Sequence, residues 1–178
     1  DVTVFDVDVA RMRYIDEVSG GRIGTRFSSP LAVREACGES DVVIGSVLVP
    51  GARTPHLVDH EMVLGMRPGS VLVDIAVDQG GCFEDSHPTT HADPTFVVGG
   101  SVFYCVANMP GAVPHTSTYA LTNATMRYVL LLADEGWRGA CGSRDDLRRG
   151  LATCGGKLVS APVGEALGIE AVPVSEVL

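Results

Sequence analysis

Val73-Asp74-Ile75-Ala76-Val77-Asp78-Gln79-Gly80-Gly81-Cys82-Phe83-Glu84 is an apolar strand that runs out into an acidic side chain and a pair of glycines. In an open parallel sheet, ligands bind beyond the carboxyl ends of the strands. Asp78 can face a substrate there, while Gly80 and Gly81 let backbone approach a cofactor closely. Taken alone, the segment also reads as a strand followed by a tight polar turn. The residues just before it, from Ser70, are largely apolar, the pattern of a strand buried on both faces of a parallel sheet.

Upstream the rhythm is βαβα. Val2 to Asp6 is a short β-branched strand, and Val9 to Val18 carries Val9, Met12, Ile15 and Val18 at helical spacing. Ile23 to Phe27 is the next strand, Pro30 opens a helix with Leu31, Val33 and Cys37, and Asp41 to Val47 is a buried strand. Val49-Pro50-Gly51 is a turn, and Asp59 caps a short helix reaching about Met66. Downstream, strands are expected at Thr95 to Val98 and Val102 to Val106. Ser117 to Glu135 is then expected to form one long helix ended by Gly136. The remainder has helical stretches interrupted by Gly142, Gly155-Gly156 and Pro162, with a last strand at Lys157 to Val159. The fold class is α/β: a partial doubly wound, Rossmann-like parallel sheet followed by a long helix and a helical C-terminal segment.

The 178 residues suffice for one good core. A net charge of −9 and a pI near 4.9 argue against nucleic acid and anionic membranes as partners. The basic cluster Arg144 to Arg149 reads as a solvated helix face. Mean hydropathy of +0.23 is somewhat apolar, as fits a piece whose faces pack on other parts or subunits. The five cysteines show neither a CxxC pair nor a repeating spacing, which argues against disulfide and structural-zinc frameworks and fits a reducing cytoplasm. No apolar run approaches the roughly 20 residues of a membrane span.

Asp74 to Glu84, Pro88-Thr89-Thr90, Asp93-Pro94-Thr95, Tyr104 to Pro114 and Leu121-Thr122-Asn123-Ala124-Thr125 closely resemble the alanine dehydrogenases. The resemblance runs over essentially the whole chain, and DQGGCFE and YCVANMPGAVP are its most specific strings. It implies a C-terminal portion, in keeping with a sequence that opens on Asp1 inside a strand. It implies that residues 1–115 are part of an NAD-binding domain lacking its first, central strand. Residues 116–178 are then the long helix and a return to the substrate domain. Without the central strand, the Val2–Asp6 and Asp41–Val47 strands would each lack a neighbour, and the isolated polypeptide is expected to be destabilised or prone to aggregation.

The same resemblance assigns candidate site residues. Asp6 ends its strand where a dinucleotide fold places the carboxylate that accepts from ribose hydroxyls, which favours NAD over NADP; a local alternative is that Asp6 caps the next helix. Arg11 and Ser28 match positions around the adenosine half. Val47 and Leu48 match a segment over the cofactor. Ile75, Ala76, Val77 and Asp78, with Val106, Ala107, Asn108 and Met109, match the two strand ends that flank the nicotinamide. Asn108 alone would simply satisfy a turn. Asp78 is the catalytic candidate, a carboxylate able to shuttle protons while an imine is hydrated and collapses. The family's partner histidine and its substrate-holding lysine and arginine are absent from this sequence. The implied reaction converts L-alanine, NAD and water to pyruvate, ammonia and NADH, in a homo-oligomer that in the family is a hexamer.

The transhydrogenase NAD(H)-binding component shares the architecture and is the alternative, as is a noncatalytic remnant; CFE after Gly81 and the NMPGAVP run favour the dehydrogenase. His87 stands where the family commonly has arginine near the cofactor phosphates. The pairs His56/His60 and His87/His91 are spaced for one helix face but lack a third ligand, so no metal site is expected; Leu131 and Glu135 replace the magnesium positions of some relatives. No GxGxxG loop joins a strand to a helix, and Gly20-Gly21 follows a helix as a turn, so weak dinucleotide affinity and negligible turnover are expected of the chain alone.

Overall fold

The computed structural model describes residues 1–178, which divide into two units: Asp1–Val47 with Pro55–Ala107, and Leu48–Thr54 with Asn108–Leu178. In the first unit the elements run β1 (Thr3–Asp6), α1 (Val9–Ser19), β2 (Gly24–Phe27), α2 (Pro30–Glu39), β3 (Val42–Gly45), α3 (His60–Leu64), β4 (Val71–Asp74), β5 (Thr95–Val98) and β6 (Ser101–Tyr104).

Each helix start has a local cause. Asp8 accepts the N–H groups of Ala10 and Arg11, Ser29 accepts that of Ala32 ahead of Pro30, and Asp59 accepts that of Met62. Gly20 closes α1 in the left-handed conformation at φ 61°.

The strands form two separate sheets. β1 pairs with β2 in parallel, while the second sheet has the order β3-β4-β6-β5, parallel except that β5 runs antiparallel to β6. β1 and β3 are each paired along one edge only. The core lies in the second sheet and its helices. Leu72 is registered against Val43 and Phe103 and packs with Val63 and Met66, and α2 contributes Cys37. Phe103 meets Phe83 edge-on and Phe96 by stacking, at centroid distances of 6.1 and 5.0 Å.

Several boundaries differ from expectation. β3 stops at Gly45 rather than Val47, because the Cys82-Phe83 segment crosses its end; a Cβ on Gly45 would lie 2.6 Å from Cys82 Cβ. β4 stops at Asp74 rather than Ala76, because the Asp74 carboxylate accepts the Ala76 N–H and curls the chain. β6 stops at Tyr104, and Val106 makes only an isolated bridge to Thr89.

In the second unit a helical run, α4 (Pro114–Ser143), starts three residues before the expected Ser117, since Pro114 supplies a preset φ at the first turn. Gly136, at φ 68° and ψ 165°, ends the first helix of this run as expected, and a second helix follows it through Ser143 with Ala140 and Cys141 buried. α5 (Asp145–Arg149) carries the basic cluster. Arg148 and Arg149 both pair with Asp145, Arg144 pairs with Asp146, and the arginines' hydrogen bonds hold both aspartates below the usual carboxylate range. A hairpin of β7 (Thr153–Cys154) and β8 (Lys157–Leu158) turns at Gly155-Gly156. Pro162 opens rather than interrupts α6 (Ala161–Leu167). No helix is long and apolar enough to cross a membrane.

Candidate functional site

β4 and β6 are parallel neighbours, with Val73 registered against Tyr104, so their carboxyl ends lie side by side. Beyond β4, Ile75 still donates its N–H to Gly45, Ala76 and Val77 are buried, and Val77–Gln79 forms a single 3-10 turn that presents Asp78 outward. The Asp78 side chain is exposed and no protein group hydrogen-bonds to it or pairs with it. Beyond β6, Val106 is buried, and Ala107 donates to Thr89 at 3.3 Å.

What holds this loop is Asp74, whose sequence position carried no assigned role. Its Oδ1 accepts the Ala76 N–H at 3.0 Å; its Oδ2 accepts the Cys82 and Phe83 N–H groups at 2.8 and 3.4 Å and the Ser86 hydroxyl at 2.6 Å. A carboxylate inside the otherwise apolar Val71–Ile75 segment was the available signal, because a buried carboxylate needs several donors.

Gly81 is buried at φ 82°, and a Cβ there would stand 2.7 Å from Asp74 Oδ2 and 2.9 Å from Ser86 Cβ. The close approach that this glycine permits is therefore to the protein itself. Gly80, at φ 102° and exposed, is the glycine left facing outward, and His56 Nε2 lies 3.4 Å from its carbonyl. Burial raises the Cys82 and Cys105 thiols above their usual range, and the negative charge of Asp74 adds to both. All five cysteines are free thiols.

The β1-β2 sheet gathers a second group. The Asp8 N–H donates to Asp6 Oδ1 at 2.9 Å, while Asp8, and not Asp6, caps α1; Asp6 Oδ2 is left without a protein donor. The Ser28 N–H donates to the Asp6 carbonyl at 2.9 Å, which sets Ser28 beside Asp6 at the carboxyl end of this sheet, and Arg11 is exposed in the first turn of α1. Val47 packs on the core. Leu48, Asn108 and Met109 belong to the second unit: Leu48 is exposed, Met109 is half-buried, and Asn108 Oδ1 caps a 3-10 turn by accepting the Gly111 N–H at 3.2 Å.

The histidines are used individually. His56 precedes α3, and so does not share a helix face with His60, whose Nδ1 lies 3.0 Å from the Asp85 carboxylate. His87 stacks on Phe96 at 3.8 Å in the position where arginine was expected from the resemblance.

Side-by-side strand ends of a parallel α/β sheet, each running into a loop that presents polar groups, define a Rossmann-like nucleotide-binding fold. The model of the family described as "Alanine dehydrogenase/PNT, C-terminal domain" matches residues 1–161. The alanine dehydrogenase of Mycolicibacterium smegmatis is 60% identical over 168 residues, covering 94% of this chain and 45% of that protein. The Mycobacterium tuberculosis enzyme is 55% identical over 177 residues, covering 99% and 48%. Among solved structures, an L-alanine dehydrogenase aligns at TM-score 0.80 with 45% identity over 94% of this chain and 46% of that one. A transhydrogenase from Sinorhizobium meliloti aligns at 0.63 with 26% identity, over 90% and 42%. The chain belongs to the alanine dehydrogenase/PNT C-terminal domain family, and it spans about half the length of the curated relatives it matches.

Proposed function

We propose that this chain is the C-terminal portion of an NAD-dependent L-alanine dehydrogenase, in which residues 1–115 contribute to NAD binding and residues 116–178 lead back to the substrate domain. The observation that carries the reading is the Asp78 carboxylate, exposed and free of protein partners, on a turn fixed at the carboxyl end of β4. The high identity to alanine dehydrogenases supports the choice of reaction.

The residues present fit the adenosine half of a dinucleotide. Asp6 has one carboxylate oxygen without a protein donor, and Ser28 lies beside it, so both can meet a ribose diol; the negative charge disfavours a 2′-phosphate. NAD, when bound, supplies the acceptor for the hydride leaving the alanine α-carbon. Ile75, Ala76, Val77, Val106, Ala107, Asn108 and Met109 are assigned to its nicotinamide side, Val47 and Leu48 to the segment over it, and Arg11 to the adenosine side. Asp78 holds and moves protons: it takes one from the water that attacks the substrate imine and returns one as ammonia leaves. The half of the relatives' length not matched here would supply a strand between β1 and β3 and the other substrate-binding groups. The working form is a homo-oligomer, a hexamer by family likeness, acting on L-alanine and pyruvate in a reducing cytoplasm that suits five free thiols.

The test is a chimera in which this chain replaces the matching part of the Mycolicibacterium smegmatis enzyme. Alanine-dependent reduction of NAD is expected, and Asp78→Asn should lower kcat at least about 100-fold while leaving NADH affinity within about threefold. Equal loss of both would remove the proton-shuttle role. The alternative of a transhydrogenase NAD(H)-binding module, to which a solved transhydrogenase is similar at TM-score 0.63, predicts NADH binding without any alanine-dependent turnover. A noncatalytic remnant predicts neither.

A further inference from the structure

We propose that Asp74 is a positioning residue for Asp78: it ties the beginning and the end of the loop after β4 to one buried point, and so fixes where the Asp78 carboxylate stands. This rests on the role assigned to Asp78 above. Asp74 is 0% exposed, a location that a carboxylate tolerates only when donors match its oxygens. Those donors are the backbone of the loop itself and one hydroxyl: Ala76 on Oδ1, and Cys82, Phe83 and Ser86 on Oδ2. No lysine, arginine or histidine is among them.

Asp78 stands midway between these anchors, four residues after Asp74 and four before Cys82. Between them the chain folds on itself: the Gln79 and Gly81 N–H groups return to the Ala76 carbonyl at 2.9 and 3.1 Å, and the Gly80 N–H donates to Val77 at 3.1 Å. Gly81 passes so near Asp74 Oδ2 that no side chain fits. With both ends pinned and the middle closed by its own hydrogen bonds, the loop has little freedom to move Asp78. Small displacements of a catalytic group are costly, because proton transfer needs hydrogen-bond reach.

Asp74→Asn keeps the shape but replaces one carboxylate oxygen by an NH2 donor, which in the orientation that keeps the Cys82, Phe83 and Ser86 contacts opposes the Ala76 N–H. In the chimera described above, Asp74→Asn is expected to lower kcat about 50-fold with KM for alanine within about threefold, and to displace the pH dependence of kcat. Because Asp74 acts through Asp78, the Asp74→Asn/Asp78→Asn double variant should be no slower than Asp78→Asn alone. Ser86→Ala, which removes one donor and spares the backbone contacts, should slow turnover a few-fold in the same pattern and serves if Asp74→Asn does not fold. Hydrogen exchange of the amides of residues 76–83 should rise in both variants, while that of β6 stays unchanged. Normal kcat and pH profile in these variants, or losses that multiply with that of Asp78→Asn, would overturn the proposal. If the unaltered chimera fails to reduce NAD with alanine, the dehydrogenase reading falls. Exchange then decides the positioning: a rise confined to the loop upholds it, and unchanged exchange at Cys82 and Phe83 overturns it.

Discussion

The loop after β4 and the β1-β2 sheet both stand at strand ends of the first unit, yet they are held by opposite means. Around the loop, Leu72, Asp74, Phe103 and Cys105 are fully buried, and every donor on the Asp74 carboxylate comes from the loop or from Ser86 beside it. In the β1-β2 region, Val2, Val9 and Phe27 are 59, 56 and 56% exposed, and β1 has one unpaired edge. Similar apolar residues thus produce a closed core in one place and open faces in the other. The lesson is that strand-forming sequence does not by itself bury a strand; neighbours on both edges and both faces do. Candidate groups for the chemistry sit on the closed part, and those for the adenosine sit on the open part.

That contrast can be broken most directly by truncation. Phe103→Ala and Leu72→Ala should each cost about 3–5 kcal/mol, whereas Val2→Ala and Phe27→Ala should stay within about 0.5 kcal/mol, as read by denaturant midpoints of the chain. Comparable losses in both regions would mean that β1-β2 is buried in solution. Glycine substitution gives a smaller version. Gly81→Ala, at φ 82° with Asp74 Oδ2 at 2.7 Å, should lose about 2–3 kcal/mol, against about 1 kcal/mol for Gly21→Ala, which has φ 74° but open space around it.

The open edges of β1 and β3 predict concentration-dependent self-association of the isolated chain by analytical ultracentrifugation. Ile44→Lys, placed on the exposed face of β3 where the native residue is 60% exposed, should weaken it several-fold; a monodisperse monomer melting cooperatively would refute the idea.

The smallest effect concerns pH. The hydrogen bond to Asp85 raises His60 above its usual 6.5, with the charges of Asp85, Glu84 and Asp59 adding to it. A raised folded value stabilises the protein while the histidine is protonated. The contribution is therefore complete below about pH 6.5 and fades as pH climbs through the higher folded value. His60→Gln should flatten the fall of Tm on that side of neutrality, and the exposed location keeps the change small.

Much of this was legible in the residues. The alternation of β-branched runs with capped helical stretches placed β1, α1, β2, α2 and α3 within a residue or two, because caps such as Asp59 and Ser29 act locally. The misplaced ends of β3, β4 and β6 all lie around the Asp74 network. There a long-range contact, such as Cys82 crossing Gly45, overrides local preference, and nothing in a strand's own residues announces it. Gly136 ends the long helix as its sequence suggests, whereas the second helix that follows it through Ser143 is not announced by the local residues.

The sequence by itself determined the α/β class, the helix caps, the glycines that need positive φ and the string of residues around Asp78, all of which act over a few neighbouring positions. Only the tertiary structure decided that Asp74 would gather its four donors and that Gly81 yields space to that carboxylate rather than to a ligand. Those depend on segments distant in sequence meeting in space, where burial and hydrogen-bond satisfaction are settled.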